Sequence, residues 1–141
     1  MKTKAIALLV MTIALGVGVA SAQSTAPMNF RTPFAFTVGD QLLPAGAYTV
    51  QVVSVTGTLL FSKPDGTASG FISSLPLQKT EFENRSKLVF HRYGSSYYLS
   101  EIWTTGYRTG RTIMQHPSEL KLAKNIGEPQ HVTLYVEAPG R

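Results

Sequence analysis

The sequence predicts an all-β fold, either an antiparallel β-sandwich or a small closed barrel of about 7–9 strands, with one short helix near residues 117–125. Short stretches of alternating apolar and polar residues recur along the chain, and turn residues separate them about every 8 to 12 positions. No segment is long enough to form the repeated crossover helices that parallel strands require. We therefore expect antiparallel pairing throughout.

The first predicted strand covers residues 30–38, where apolar and polar side chains alternate as in a half-buried strand. Pro33 cannot donate a hydrogen bond to a neighbouring strand, so this segment is expected at a sheet edge, or paired only from Phe34 onward. Turns with a proline followed by a glycine are predicted at residues 43–46 and 63–66. Between and after these turns, strands are expected at residues 48–52, 58–62 and 68–75.

The best-formed hairpin is predicted for residues 87–104, around a two-residue Gly-Ser loop. This loop sets Tyr93 opposite Ser96, Arg92 opposite Tyr97, His91 opposite Tyr98 and Leu88 opposite Glu101. His91 and Glu101 then point to opposite faces of the hairpin, whereas a three-residue loop would bring them to the same face. Both arrangements stay open at this point.

Residues 117–125 are the only segment with helical character. Pro117 suits the first turn of a helix, Glu119 lies near its positive end and Lys124 lies toward its negative end. The alternative is a strand in which the two leucines of the segment alternate. Further strands are expected at residues 112–115 and 130–137.

The first 22 residues have the three parts of a secretory signal peptide: two lysines, an uncharged apolar run of 16 residues, and small residues at Ala20 and Ala22. Cleavage after Ala22 would leave residues 23–141 as a single all-β domain. The apolar run is shorter than the roughly 20 residues of a membrane-spanning helix, and a retained anchor is the alternative. We expect an exported protein, periplasmic or extracellular, with no transmembrane segment after cleavage.

The composition is that of a folded protein, with 43% hydrophobic and 15% charged residues. The chain has no cysteine, so neither disulfides nor lipid attachment at a cysteine thiol is available. All 14 aromatic residues follow the predicted cleavage site, and we expect their packing to replace disulfides. The formal charge of +5 is scattered without a dense basic run, so nucleic acid is not expected as a partner.

The sequence contains no recognisable motif for catalysis, metal binding or nucleotide binding. It lacks a cysteine nucleophile and the G-x-S-x-G pattern of serine hydrolases. Its histidines, His91, His116 and His131, lie on different predicted elements, without the close spacing of metal ligands. We predict no catalytic residue, no metal site and no cofactor, and we interpret the Gly- and Arg-containing residues 106–111 as a basic loop.

The leading functional prediction is an exported, non-enzymatic β-domain that acts as a binding or interaction module of the bacterial envelope or exterior. Polysaccharide, peptide and envelope protein are the candidate partners. One alternative is a carbohydrate- or peptide-binding surface made by the polar and aromatic residues of the hairpin and the loop after it. Its candidate ligand-binding residues are His91, Arg92, Tyr97, Tyr98, Glu101, Trp103 and Tyr107.

Two other interpretations of the hairpin compete with this surface. In the first, the aromatic rings of the hairpin fill the core or cover the sheet by cross-strand packing and bind no ligand. The second functional alternative is a hydrolase in which His91 works with Glu101 or Tyr98. It requires these side chains to lie within hydrogen-bonding reach of one another in an open cleft.

Two pairs of segments carry a resemblance to known proteins. PFAFTVGD at residues 33–40 runs into LPAGAYTV at 43–50, and FHRYG at 90–94 runs into YYLSEIW at 97–103. Together they resemble a set of small, uncharacterised exported proteins of environmental bacteria. The resemblance implies export and a β-rich fold, and it carries over no activity and no site residue.

Overall fold

The computed structural model describes residues 26–136. The predicted signal peptide at residues 1–22 and the last five residues, 137–141, lie outside this part. The elements are β1 (Met28–Thr32), β2 (Phe36–Val38), β3 (Gln41–Leu43), β4 (Gly46–Val52), β5 (Thr58–Ser62), β6 (Ala68–Gln78), β7 (Lys87–Tyr93), β8 (Ser96–Trp103), β9 (Thr109–Ile113), α1 (Pro117–Ile126) and β10 (Gln130–Tyr135). The prediction of an all-β fold with one short helix is confirmed.

The strands form one bent sheet in which neighbours follow the order β1-β4-β5-β6-β9-β8-β7-β10. Strand β6 joins the two halves, because residues 68–73 pair with β5 and residues 74–78 pair with β9. The hairpin of β2 and β3 joins the second half through β8. Strands β1 and β10 end the order without pairing with each other, so the sheet is not closed.

Three expectations on this architecture need correction. The described residues form ten strands, above the expected range, because the segment predicted at residues 30–38 divides and because β3 is an additional short strand. The closed barrel, one of the two expected architectures, is wrong, since β1 and β10 do not pair. Pairing is not antiparallel throughout, because Thr37 in β2 pairs in parallel with Tyr98 in β8.

Pro33 marks the place where the chain passes from one half of the sheet to the other. Strand β1 ends at Thr32 and pairs with β4, whereas β2 starts at Phe36 and pairs with β8. The Thr32 hydroxyl donates to the Phe34 carbonyl at 2.9 Å and stabilises this passage. The expectation that proline would confine this segment to an edge holds for β1, which has β4 as its single neighbour among the strands of residues 26–136.

Aromatic rings from both halves of the sheet pack against one another in the core. Phe30 of β1 contacts Phe61 of β5 at a centroid distance of 6.4 Å and Phe36 of β2 at 6.2 Å. Phe36 in turn contacts Phe90 of β7 at 5.6 Å in an edge-to-face arrangement. Ring packing therefore links strands that do not pair through their backbones, in a chain without cysteine.

The helix α1 begins one residue after His116, whose ring accepts a hydrogen bond from the Ser118 backbone N–H and so caps the helix. It covers the predicted range and ends one residue later, at Ile126. The two leucines are not alternating strand residues. The helix lies against β7, and this contact builds the polar cluster described below.

We predict that Phe36→Ala lowers the free energy of unfolding by about 3–5 kcal/mol, because the ring is fully buried where the two halves of the sheet meet. Phe71→Ala is the matched control, since 61% of that phenylalanine is exposed on the outer face of β6. Urea denaturation followed by tryptophan fluorescence measures both variants. Equal losses for the two variants would contradict the role of Phe36 in joining the halves.

Candidate functional site

The hairpin of β7 and β8 has the predicted register near its turn, and a bulge changes it farther away. The confirmed pairs are His91 with Tyr98, Arg92 with Tyr97 and Tyr93 with Ser96. The register shifts between Val89 and Phe90, so that Val89 lies opposite Glu101. The predicted pairing of Leu88 with Glu101 is therefore wrong, and Leu88 lies opposite Ile102.

The bulge moves Glu101 and Trp103 to the face that carries His91, because side chains alternate along each strand. Ile102 turns into the hydrophobic core instead. His91 and Glu101 thus share a face, contrary to the two-residue-loop register, but each carries a different partner. The Glu101 Oε2 accepts a hydrogen bond from the Trp103 indole Nε1 at 2.6 Å. His91 pairs with Glu119.

Glu119 of α1 is the centre of a buried polar cluster on this face. Glu119 is only 4% exposed. One of its carboxylate oxygens, Oε1, lies 2.7 Å from His91 Nδ1 and 3.1 Å from the Tyr93 hydroxyl. Gln115 Nε2 donates to the same oxygen at 3.5 Å. Glu119 lies in the first turn of the helix, where the positive end of the helix dipole also stabilises its negative charge. These contacts hold α1 on the hairpin.

The other two histidines lie beside this cluster. His131 of β10 is the register partner of His91, and their rings meet edge to face at 5.0 Å. His116 Nδ1 lies 2.9 Å from the Ser118 hydroxyl, which is also 3.3 Å from the Tyr98 hydroxyl. Within residues 26–136, no group of three or more histidine or acidic side chains has the arrangement of a metal site.

The geometry gives this cluster a structural role. In the predicted hydrolase, His91 would exchange protons with Glu101 or Tyr98, yet Glu101 is bonded to an indole and the Tyr98 hydroxyl lies next to Ser118. The His91 side chain is 15% exposed and directs Nδ1 at a carboxylate that also accepts a hydrogen bond from Tyr93. Such an arrangement fastens a helix to a sheet, and the Nδ1 of His91 is directed at Glu119 rather than at Glu101 or Tyr98.

Most rings of the predicted stacking surface are covered. Trp103 is 1% exposed and Tyr98 is 9% exposed. Tyr97 is half-buried and stacks on Phe34 at 3.8 Å, while the Arg92 guanidinium lies 5.4 Å from its ring. Of the predicted ligand-binding residues, Tyr107 and Arg92 are the exposed ones. The rings therefore do not form a continuous platform for a sugar.

Trp103 is enclosed by charged side chains from the segment between β6 and β7. The Lys79 ammonium lies 3.9 Å from the centre of the indole and pairs with Glu83, which also pairs with Lys87 at 3.2 Å. The hydrogen bond from Lys79 holds the pKa of Glu83 below its ordinary value. Gly110 lies close to the ring, and a Cβ there would stand 2.6 Å from Trp103 Cε3. The glycine is needed for this contact.

A large accessible cleft lies elsewhere, beside β1. One cavity of about 790 Å³ is lined by residues of β1 and β4, by Pro64 and by the end of β10, including Arg31, Tyr135 and Val136. A second cavity of about 520 Å³ continues it toward the start of β1 and includes Asn29, Arg85 and Val136. The two share Asn29 and Val136. We call this cleft the β1 seam, defined by Asn29, Arg31, Arg85, Tyr135 and Val136.

The β1 seam is positively charged. Arg31 and Arg85 are the charged residues that line it in residues 26–136, and no carboxylate lines either cavity. The Arg85 guanidinium lies over the Tyr135 ring at 4.3 Å, which fixes its position at the rim. The Val136 N–H donates to the Ser86 carbonyl at 2.9 Å and closes the end of β10. No sequence motif indicated this cleft.

Comparisons with protein-family models, with curated proteins and with solved structures gave no match to this chain. Within residues 26–136, the single helix is too short and too polar to cross a membrane.

Tyr93 provides a test of the cluster through pH. Burial, and then the neighbouring charge of Glu119, raises the pKa of Tyr93 from 10.0 to about 12. Above pH 10, the Tyr93 phenol therefore stays neutral in the folded state but ionises in the unfolded state. The contribution of the buried phenol to the free energy of unfolding is complete below pH 10 and is lost as the pH rises toward 12. We expect this loss to reach about 3 kcal/mol.

The measurement is the free energy of unfolding at pH 9 to 12 for the wild type, Tyr93→Phe and Tyr107→Phe. Tyr93→Phe loses a hydrogen bond and is less stable at neutral pH by about 1 kcal/mol, but its alkaline decrease is smaller. Tyr107→Phe, at a residue that is 58% exposed, follows the wild type. An unchanged alkaline decrease in Tyr93→Phe would contradict the buried Tyr93–Glu119 contact.

Proposed function

We propose that this chain is an exported, non-enzymatic β-domain that binds an extended, acidic segment of a partner protein at the β1 seam. The observation that carries the proposal is an unpaired strand edge beside a cleft whose charged lining residues, within the described part of the chain, are arginines. The partner class is one of those expected from the sequence, while the surface differs from the hairpin rings expected to bind it.

The backbone of β1 supports strand addition. One edge of β1 pairs with β4 over its whole length, from Met28 to Thr32. Its other edge has no strand partner in residues 26–136, and residues of β1 line both cavities of the seam. A free edge offers N–H and C=O groups in a regular row, which an extended peptide can complete as an additional strand. Backbone pairing would supply affinity with little dependence on the peptide sequence.

The side chains of the seam favour acidic peptide residues. Arg31 lies on the outer face of β1, where side chains alternate between core and solvent, and lines the larger cavity, while Arg85 lines the smaller one. Two guanidinium groups without a lining carboxylate attract carboxylates and repel basic segments. Asn29 lines both cavities, and its Oδ1 accepts a hydrogen bond from the Thr49 hydroxyl at 2.7 Å. Its position on the seam is thereby fixed.

Export is supported by the separation between the signal sequence and the fold. Strand β1 begins at Met28, six residues after Ala22, so cleavage after Ala22 leaves every strand of the described part intact. The formal net charge would fall from +5 to +3 through the loss of two lysines. The remaining excess of basic residues is consistent with an acidic partner.

For export, we predict that a bacterium expressing the full chain releases a product whose first residue is Gln23. N-terminal sequencing of the protein in the periplasm and medium checks this. Ala22→Arg should leave the precursor uncleaved, because signal peptidase requires a small residue there. Recovery of a product that still begins at Met1, from the wild type, would overturn the export proposal.

For the seam, we predict saturable binding of an alternating threonine–glutamate peptide, measured by isothermal titration calorimetry at low salt. Arg31→Glu or Arg85→Glu should weaken this binding about tenfold or more, because each places like charges together. Lys121→Glu makes the same change in net charge on the exposed side of α1 and should have little effect. Binding should also decrease as salt is raised.

Two control peptides separate backbone pairing from charge alone. A threonine–lysine peptide should not bind. A peptide in which prolines replace the threonines keeps its carboxylates but loses the N–H groups that pair with β1, and its binding should also be lost. Equal binding of the proline peptide, or an equal effect of Lys121→Glu, would show non-specific charge attraction and refute strand addition.

A further inference from the structure

A further, smaller cavity, partly open to solvent, lies at the end where β1 and β9 begin and β8 ends. Its volume is about 210 Å³, and apolar groups form most of its lining. The apolar side chains in this lining are Ala26, Met28, Val50, Val52, Leu59, Ile102 and Tyr107. The cavity adjoins the 520 Å³ cavity of the β1 seam, with which it shares Ala26, Met28 and Thr104, but none of the five residues that define the seam lines it.

One charged side chain, Arg111 of β9, also lines this cavity. Arg111 is the register partner of Ile102, and paired residues point to the same face of a sheet. Because Ile102 belongs to the hydrophobic core, Arg111 also points inward. An arginine at an inward position of a strand is unusual, since a charge there loses its hydration.

Polar backbone and hydroxyl groups hold the guanidinium on one side. Its Nε donates to the Ser74 hydroxyl at 2.8 Å, and its Nη2 donates to the Ser74 carbonyl at 2.7 Å. The Gly57 carbonyl lies 3.5 Å from Nη2. Gly57 has a φ of +91°, and a Cβ there would overlap Nη2 at 1.6 Å. The turn between β4 and β5 is therefore shaped around this arginine.

The positive charge of Arg111 has no carboxylate partner in residues 26–136. The acidic side chains that form ion pairs in this part of the chain are Glu83 and Glu119, and both pair with other residues. Nη1 donates to no acceptor in the same part of the chain. Burial lowers the pKa of Arg111, as expected for a cation compensated only by dipoles.

From this geometry we infer that the cavity binds a small carboxylic acid, with its carboxylate on Arg111 and a short aliphatic tail among Val52, Leu59 and Ile102. A carboxylate supplies the missing negative charge and can accept from the guanidinium. The volume is below the roughly 300 Å³ of pockets for drug-sized ligands. The cavity volume is about seven times the roughly 30 Å³ that one water molecule occupies in the liquid. A cavity of this size fits an acid of about six carbons.

This inference does not depend on the proposed peptide site, and the two can fail separately. Hexanoate is the probe, with 1-hexanol and hexylamine as neutral and cationic molecules of the same length. We expect hexanoate to raise the thermal midpoint of the processed chain and to shift the amide NMR signals of β9 saturably. The alcohol and the amine should bind at least tenfold more weakly, because neither supplies an anion for Arg111.

Two variants keep the test decisive if one of them is unstable. Arg111→Gln should reduce hexanoate binding at least tenfold, but it also removes contacts to Gly57 and Ser74. Val52→Phe leaves Arg111 in place and fills the cavity, and it should also abolish binding. Tyr135→Ala, in the β1 seam, is the control and should retain hexanoate binding.

Equal binding of hexanoate and hexanol would refute the inference and leave Arg111 as a link between strands only. Retention of hexanoate binding by Val52→Phe, with Arg111 intact, would refute the cavity as the site. Neither result changes the peptide measurement, whose residues lie outside this lining.

Discussion

The packing of aromatic rings between the two halves of the sheet is the constraint on which the rest of this fold depends. The chain has no cysteine, and the sheet is not closed by hydrogen bonds between β1 and β10. Phe30, Phe36 and Phe90 lie in contact one after another and connect β1, β2 and β7. Because these contacts are buried and close, the two halves stay together while one edge of the sheet stays free.

The outer face of the hairpin is organised differently, around one buried carboxylate. Glu119 accepts hydrogen bonds from His91 and Tyr93, and it lies in the first turn of α1. A buried carboxylate is stable only when several donors satisfy it, so the helix and the hairpin fix each other. The concentration of titratable and aromatic residues in the hairpin thus has a structural explanation.

The two proposed sites follow from what the fold leaves incomplete. At the β1 seam, a strand edge has no neighbouring strand among residues 26–136, and Arg31 and Arg85 line the cleft. In the cavity beside β9, Arg111 has no acidic partner in the described part of the chain. Stability alone does not require a free strand edge, since an edge can be covered. Each feature becomes useful when a ligand completes it.

Local residue patterns predicted the elements well. Alternation, proline and glycine turns located most strands, and the spacing around Pro117 located the helix, because these signals act within a few residues. The hairpin turn was also predictable, and His91 does lie opposite Tyr98. The bulge beside Val89 was not, because it depends on how the whole of β8 fits between its neighbours.

The sites were predicted poorly, since they are made by contacts between distant residues. Glu119 was identified only as a helix-end residue, because its partner His91 lies 28 positions away in the sequence. Arg111 falls just before the predicted strand at residues 112–115, so its inward direction was missed.

By itself, the sequence determined that this chain forms short strands and one helix, without disulfides, because alternation, turn residues and the lack of cysteine are local or compositional properties. Only the tertiary structure decided which charges are satisfied and which strand edge stays free. Those outcomes depend on long-range pairing, and no local pattern of residues encodes it.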